Sequence, residues 1–249
     1  MLDALTLLQY AWIVAAIFVA YVARGMSGFG AGLIAAPLLA YVLPLHVVVP
    51  LCGLLVFVLF VFLTIRDRHS VIWGELKALA VPTIFGVFAG LGLFRLLDNR
   101  LLVILLGSFL ILYGTYMLAV NALGLPQFRC SRRWAIPLGF TGAFFDTLFG
   151  GGGGTLVVIY MHGREIERMA FRATLATLWF MEMATRISGY ALAGYYTREV
   201  LLLFGALLPI TWAGTWLGER LGNRVSPETF SRILAVLLIL SGLSLLLKK

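Results

Sequence analysis

The chain has 249 residues, 61% of them hydrophobic and 12% charged, with a mean hydropathy of +1.00. A soluble domain carries about 25% charged residues, so this composition excludes a soluble globular protein and leaves no stretch polar enough for a separate soluble domain. The net charge of +8 does not point to nucleic acid, because most Arg and Lys residues sit in short connections between apolar runs, the topology signal of a membrane protein.

Ten apolar elements follow in order, at about 5–23, 28–44, 46–65, 76–96, 101–122, 134–149, 153–162, 171–195, 200–219 and 229–247. The first follows Asp3 without a basic n-region, so it reads as a retained span rather than a cleaved signal peptide. A straight crossing needs about 20 residues at 1.5 Å each. The run 153–162 is too short to cross alone and 28–44 is marginal. Both are expected to be half-helices or re-entrant segments.

Each short element follows a glycine-rich stretch, RGMSGFGAGLIAAP (Arg24–Pro37) or DTLFGGGGGTLVVI (Asp146–Ile159). Shifted by 122 positions, Gly28, Gly30 and Gly32 fall on Gly150, Gly152 and Gly154. Glycine loosens a helix and bares its backbone. Inside a bilayer a broken backbone is tolerated only against protein or a wet cavity. Two breaks at matching places in two halves point to a transporter's binding site.

The duplication predicts a first transmembrane repeat at 1–124, a connecting loop at 125–133 and a second repeat at 134–249. The loop region LGLPQFRCSRRW (123–134) carries Pro126 and a basic cluster. Five elements per half would invert the second repeat relative to the first. If each element reverses direction in turn, one set of connections holds 13 of the 19 Arg and Lys residues and the other holds 5, with Arg186 inside a helix. The positive-inside rule then puts the richer set in the cytoplasm and both termini outside. The fold class expected is an all-α polytopic membrane protein of two inverted repeats, with broken or re-entrant helices at the glycine motifs.

The motif GMSGFGAGLIAAPLL (Gly25–Leu39) resembles the first signature of the TauE/SafE sulfite exporter family, a Gly-x-x-Gly-x-Gly-Gly-Gly pattern followed by Pro. FGGGGGTLVVIYMHG (Phe149–Gly163) and AFRATL (Ala170–Leu175) resemble its second copy. Three positions depart from the pattern: Ala31 replaces the middle glycine of the first triplet, Thr147 stands opposite Gly25, and Ile159 stands opposite Pro37. The resemblance implies a secondary transporter of the cell (inner) membrane, exporting or importing small sulfur-containing anions such as sulfite or sulfonates.

A broken helix whose N-terminus faces the membrane interior offers unpaired N–H groups and a positive dipole end, an anion site without a charged side chain. Gly28, Gly30 and Gly32, with Gly150, Gly151, Gly152, Gly153 and Gly154, are therefore expected to form two facing anion-binding turns near the midplane. Otherwise these glycines serve only close helix packing. Thr155 and Thr147 are candidate hydroxyl donors, unless each bonds its own helix backbone. Glu182 and Arg186 are four residues apart and share a helix face. Arg186 either binds the anion or forms a self-satisfied ion pair with Glu182. Asp146 and Glu182 are the candidates for a coupling proton. Arg24, opposite Asp146 in the repeat, either partners it or snorkels at an interface.

Other classes find less support. His46, His69 and His162 are scattered, and Cys52 and Cys130 lack metal-ligand spacing. The GGGGG run lacks the Lys-Ser/Thr that completes a phosphate-cradling loop. No nucleophile–base pair stands out, so an enzyme is not expected, and neither is a cofactor. The rivals are an anion channel and a metal-cation importer using Asp146 and Glu182. The expected partners are a small anionic substrate, the lipid bilayer and a possible second copy of the chain.

Overall fold

The structure, a computed structural model, describes residues 5–27, 30–123, 130–164, 166–222 and 227–247. Gly28 and most of the expected connecting loop lie outside the described residues. Within them the chain is all-helical. The helices are α1 (Leu7–Ser27), α2 (Ala31–Leu39), α3 (Leu45–Asp67), α4 (Trp73–Leu96), α5 (Asn99–Leu123), α6 (Ala135–Phe149), α7 (Gly154–Gly163), α8 (Arg168–Leu192), α9 (Arg198–Gly222) and α10 (Pro227–Leu247). Short 3₁₀ turns stand at Arg68–Ser70 and Arg132–Trp134.

Each of the ten apolar runs has become one helix. The two flagged as short are α2, with nine residues, and α7, with ten. At 1.5 Å per residue neither crosses a bilayer. Five described helices are long and apolar enough to cross one: α1, α4, α9 and most of α5 and α10. The duplicated spacing reappears in the helices. The end of α1 at Ser27 and the end of α6 at Phe149 differ by the same 122 positions as the glycines.

The chain divides into two compact units, each drawing on both halves of the sequence. The first comprises Met1–Cys52, Leu97–Pro126 and Thr197–Lys249, and the second Gly53–Leu96 and Gln127–Tyr196.

In the first unit glycine seams bring helices together. On α9, Gly214, Gly218 and Gly222 recur every four residues and so share a face. A Cβ on Gly214 would sit 2.9 Å from the Phe18 carbonyl oxygen of α1, one on Gly218 would overlap the Val22 carbonyl, and one on Gly222 would sit 3.3 Å from Met26. Gly107 and Gly242 make the same close approach between α5 and α10. Water supplies no hydrophobic drive between helices in lipid, so contact depends on such small residues. The outer faces are apolar: Leu112 on α5, Trp212 and Trp216 on α9 and Leu240 on α10 are exposed. The C-terminus of α2 is anchored by Trp12, whose indole N–H donates to the Leu38 carbonyl at 2.8 Å, satisfying one of the carbonyls a helix end leaves over.

In the second unit α4 lies against α6 along Gly86 and Gly90. A Cβ on Gly90 would come within 2.8 Å of the Thr147 Cβ. A core of Leu76, Leu79, Val157, Tyr160, Leu175 and Leu178 joins α4, α7 and α8. At its edge Glu75 accepts hydrogen bonds from the Tyr160 hydroxyl at 2.5 Å and from Arg164 Nη2 at 2.9 Å. The last turn of α7 is thereby held to the first turn of α4.

Candidate functional site

The glycine run Gly150–Gly153 is the non-helical link between α6 and α7. Gly150 closes α6 with φ 79°, and Gly152 follows at φ 101°. Such positive φ values cost an ordinary L-residue about 1–2 kcal/mol, so glycine is required there for the turn itself. Gly30, the repeat counterpart of Gly152, has φ 87° and immediately precedes α2. The same backbone device therefore opens both short helices.

Asp146 lies one turn before the end of α6, and the turn folds back over it. Its carbonyl accepts the Gly150 N–H at 2.9 Å. Its carboxylate accepts the Gly153 N–H at 2.8 Å and also that of Gly154. An anion at a helix N-terminus is favoured by both the orphan amides and the helix dipole. Here the first anion at the start of α7 is the protein's own. Gly153 also packs tightly, since a Cβ there would overlap the Gly142 carbonyl of α6. Of the two alternatives set out above, Gly153 shows close packing, and its amide is occupied by Asp146.

Arg186 of α8 reaches the same place. Its Nη1 donates to the Asp146 carbonyl and stands 3.8 Å from Glu182 Oε1. Its Nη2 contacts the Met183 sulfur. Asp146, Glu182 and Arg186 are 5%, 1% and 0% exposed. The ionisable residues singled out in the second half thus form one buried cluster. The balance is uneven, with two acids sharing one guanidinium. A buried charge is tolerated only when paired and hydrogen-bonded. Among the described residues Glu182 Oε1 and Arg186 Nε have no hydrogen-bond partner.

Two further residues complete the surroundings. The Tyr190 hydroxyl donates to the Thr147 carbonyl at 2.5 Å, which ties α8 to the last turn of α6. The indole nitrogen of Trp179 lies against Gly154, 3.1 Å from where a Cβ would stand. Neither residue was singled out from the sequence. The signal was present: Glu182, Arg186 and Tyr190 recur every four residues and continue one stripe of α8.

The remaining candidates fall as follows. Thr147 donates its hydroxyl to Ala143 of its own helix at 2.7 Å, the backbone-bonding alternative named for it. Thr155 sits in the first turn of α7, with its N–H 3.4 Å from the Gly152 carbonyl. Gly32 is buried in the first turn of α2. Arg24 is buried in the last turn of α1 and belongs to the first unit, whereas Asp146 belongs to the second. His162 is the penultimate residue of α7, its ring 4.7 Å from that of Phe171. Among the described residues no group of three His, Cys, Asp or Glu side chains is placed to hold a metal.

A multi-pass helical bundle with two short interrupted helices and a buried charged cluster at one break has the architecture of a membrane transporter. The family profile described as Sulfite exporter TauE/SafE matches residues 13–245, and the chain belongs to that family. It is also 29% identical over 181 residues to the "Probable inner membrane transporter protein TsaS" of Comamonas testosteroni, covering 71% of this chain and 73% of that protein. No solved structure matches. The protein is therefore a multi-pass transporter of the cell (inner) membrane.

Proposed function

We propose that the protein is a secondary transporter of small sulfur-containing anions such as sulfite or sulfonates, and that the buried cluster at the α6–α7 turn is part of its path. The observation that carries this reading is Arg186, wholly buried beside a glycine turn. A buried guanidinium is costly unless it serves structure or solute. Its planar set of donors suits an oxyanion. The Gly153 and Gly154 amides are engaged by Asp146, which leaves those of Gly151 and Gly152 as the turn's donors to a solute. Gly30 and Gly32, at the start of α2, belong to the same proposal as its repeat counterpart.

Asp146 and Glu182 are the proposed proton carriers. The cluster has one acid more than its cation balances, and a proton accompanying an anion would restore neutrality. A cation importer fits less well, because an incoming cation would compete with a guanidinium already bonded to the Asp146 backbone and 3.8 Å from Glu182. The test is flux into liposomes holding the purified protein, with sulfite, thiosulfate, methanesulfonate and acetate offered at two pH values. Saturable, pH-dependent uptake of the sulfur anions is expected. Ohmic current would favour a channel, and an unchanged pH profile in Glu182→Gln would remove that residue's proton role.

A further inference from the structure

Buried polar atoms are almost always hydrogen-bonded, so each one left without a partner calls for an explanation, a bound solute among them. Two such atoms sit on one face of α8, four residues apart. Arg186 Nε is a donor, and Glu182 Oε1, 3.8 Å from Arg186 Nη1, is an acceptor. Arg186 does not satisfy Glu182 itself, because its Nη1 is directed to the Asp146 carbonyl and its Nη2 to Met183. Asp146 does not supply the missing donor either, because its carboxylate is held on the α7 amides. Tyr190 spends its hydroxyl on the Thr147 carbonyl.

A guanidinium has only donors and a carboxylate only acceptors. One ligand that satisfies both must present an acceptor oxygen to Arg186 and an O–H to Glu182. A fully ionised sulfonate has acceptors alone and would set a bare oxygen against a carboxylate.

Building on the anion-transport reading, we propose that Glu182 and Arg186 select an oxyanion that carries its own proton, such as hydrogensulfite, over an acceptor-only anion of the same shape and charge. Glu182 is then a specificity-determining residue that stays ionised while the substrate brings its own proton, which narrows the proton-carrier role proposed above to Asp146.

The test compares two tetrahedral monoanions as competitors of labelled sulfite uptake into proteoliposomes. These are methylphosphonate, at a pH where it keeps one O–H, and methanesulfonate, which has none. An unsatisfied buried group costs enough to predict that methylphosphonate competes about tenfold more strongly in the native protein. Glu182→Gln adds a donor at the same place, so in the uptake that variant retains the preference should shrink or reverse. Equal competition by the two probes in the native protein, or a preference for methanesulfonate, overturns the inference while leaving anion transport standing. An unaltered preference in Glu182→Gln overturns it as well. Should that variant fail to insert or carry no sulfite, the native comparison decides alone. No sulfite uptake at all by the native protein removes the transport reading and this inference with it.

Discussion

The backbone N–H of Gly153 donates to the carboxylate of Asp146 across 2.8 Å. A residue in the last turn of α6 therefore caps α7. Glycine makes this possible twice over, by turning the chain at Gly150 and Gly152 and by letting Gly153 lie against the Gly142 carbonyl.

Replacing Asp146 by Ala removes the cap and one of the acids around Arg186. Losing a helix-capping acceptor costs about 1–2 kcal/mol, which corresponds to a fall in Tm of roughly 2–8 °C for a chain of this size. Asp146→Asn keeps an acceptor for the Gly153 amide and should recover most of that stability without recovering pH-dependent flux. Thermal unfolding in detergent, set beside flux for both variants, separates the capping role from the charge.

Gly152→Ala adds only a methyl group, yet forces an L-residue to φ 101°. The strain of about 1–2 kcal/mol should reshape the turn and cut flux severely while insertion stays normal. Quantitative membrane fractionation beside transport checks this. Native flux in Gly152→Ala would mean the turn's conformation is not needed for passage.

Helix seams should respond with opposite signs to the same substitution. In α9, an added Cβ on Gly205 meets nothing within 4 Å among the described residues, whereas one on Gly218 overlaps the Val22 carbonyl. Gly205→Ala should stabilise by up to about 1 kcal/mol through helix propensity. Gly218→Ala should destabilise by about 1–3 kcal/mol through overpacking. Thermal unfolding of the two variants in one detergent is the comparison.

The join between α4 and α7 can be read through Cys130, whose N–H donates to the Gly163 carbonyl at 3.0 Å. Burial pushes its thiol above the usual cysteine range, and the nearby Arg164 only partly opposes this. Less thiolate is then present at neutral pH, so maleimide labelling should be slow and should rise only at higher pH than for an exposed cysteine. Glu75→Gln removes the charge that holds Arg164 and should speed labelling severalfold. An unchanged rate would show that the Glu75–Arg164 pair does not hold this end shut.

Much of this was legible in the sequence, and for identifiable reasons. Apolar runs map onto helices because lipid demands long apolar segments with internally satisfied backbones. The 153–162 run is too short to cross a bilayer alone, and α7 is a ten-residue helix. Glu182 and Arg186 stood out because charges are rare in such runs, and the structure places them together. The contact between Asp146 and the Gly153 amide was not legible. It depends on how the turn folds back, and a run of five glycines leaves that path open. Tyr190 was missed because a tyrosine in an apolar helix looks like packing until its hydroxyl finds the Thr147 carbonyl. The two compact units, each mixing helices from both halves, were hidden as well, because internal repetition says which segments are alike and not which segments pack together.

The most direct measurement of the central claim is labelled sulfite uptake into liposomes by the native protein and by Arg186→Lys, at matched insertion. Lysine keeps the charge but loses the planar set of donors. Saturable uptake by the native protein with a loss of at least about tenfold in Arg186→Lys is the predicted result. Native-rate uptake by a correctly inserted Arg186→Lys would contradict the assignment of the anion path to this cluster.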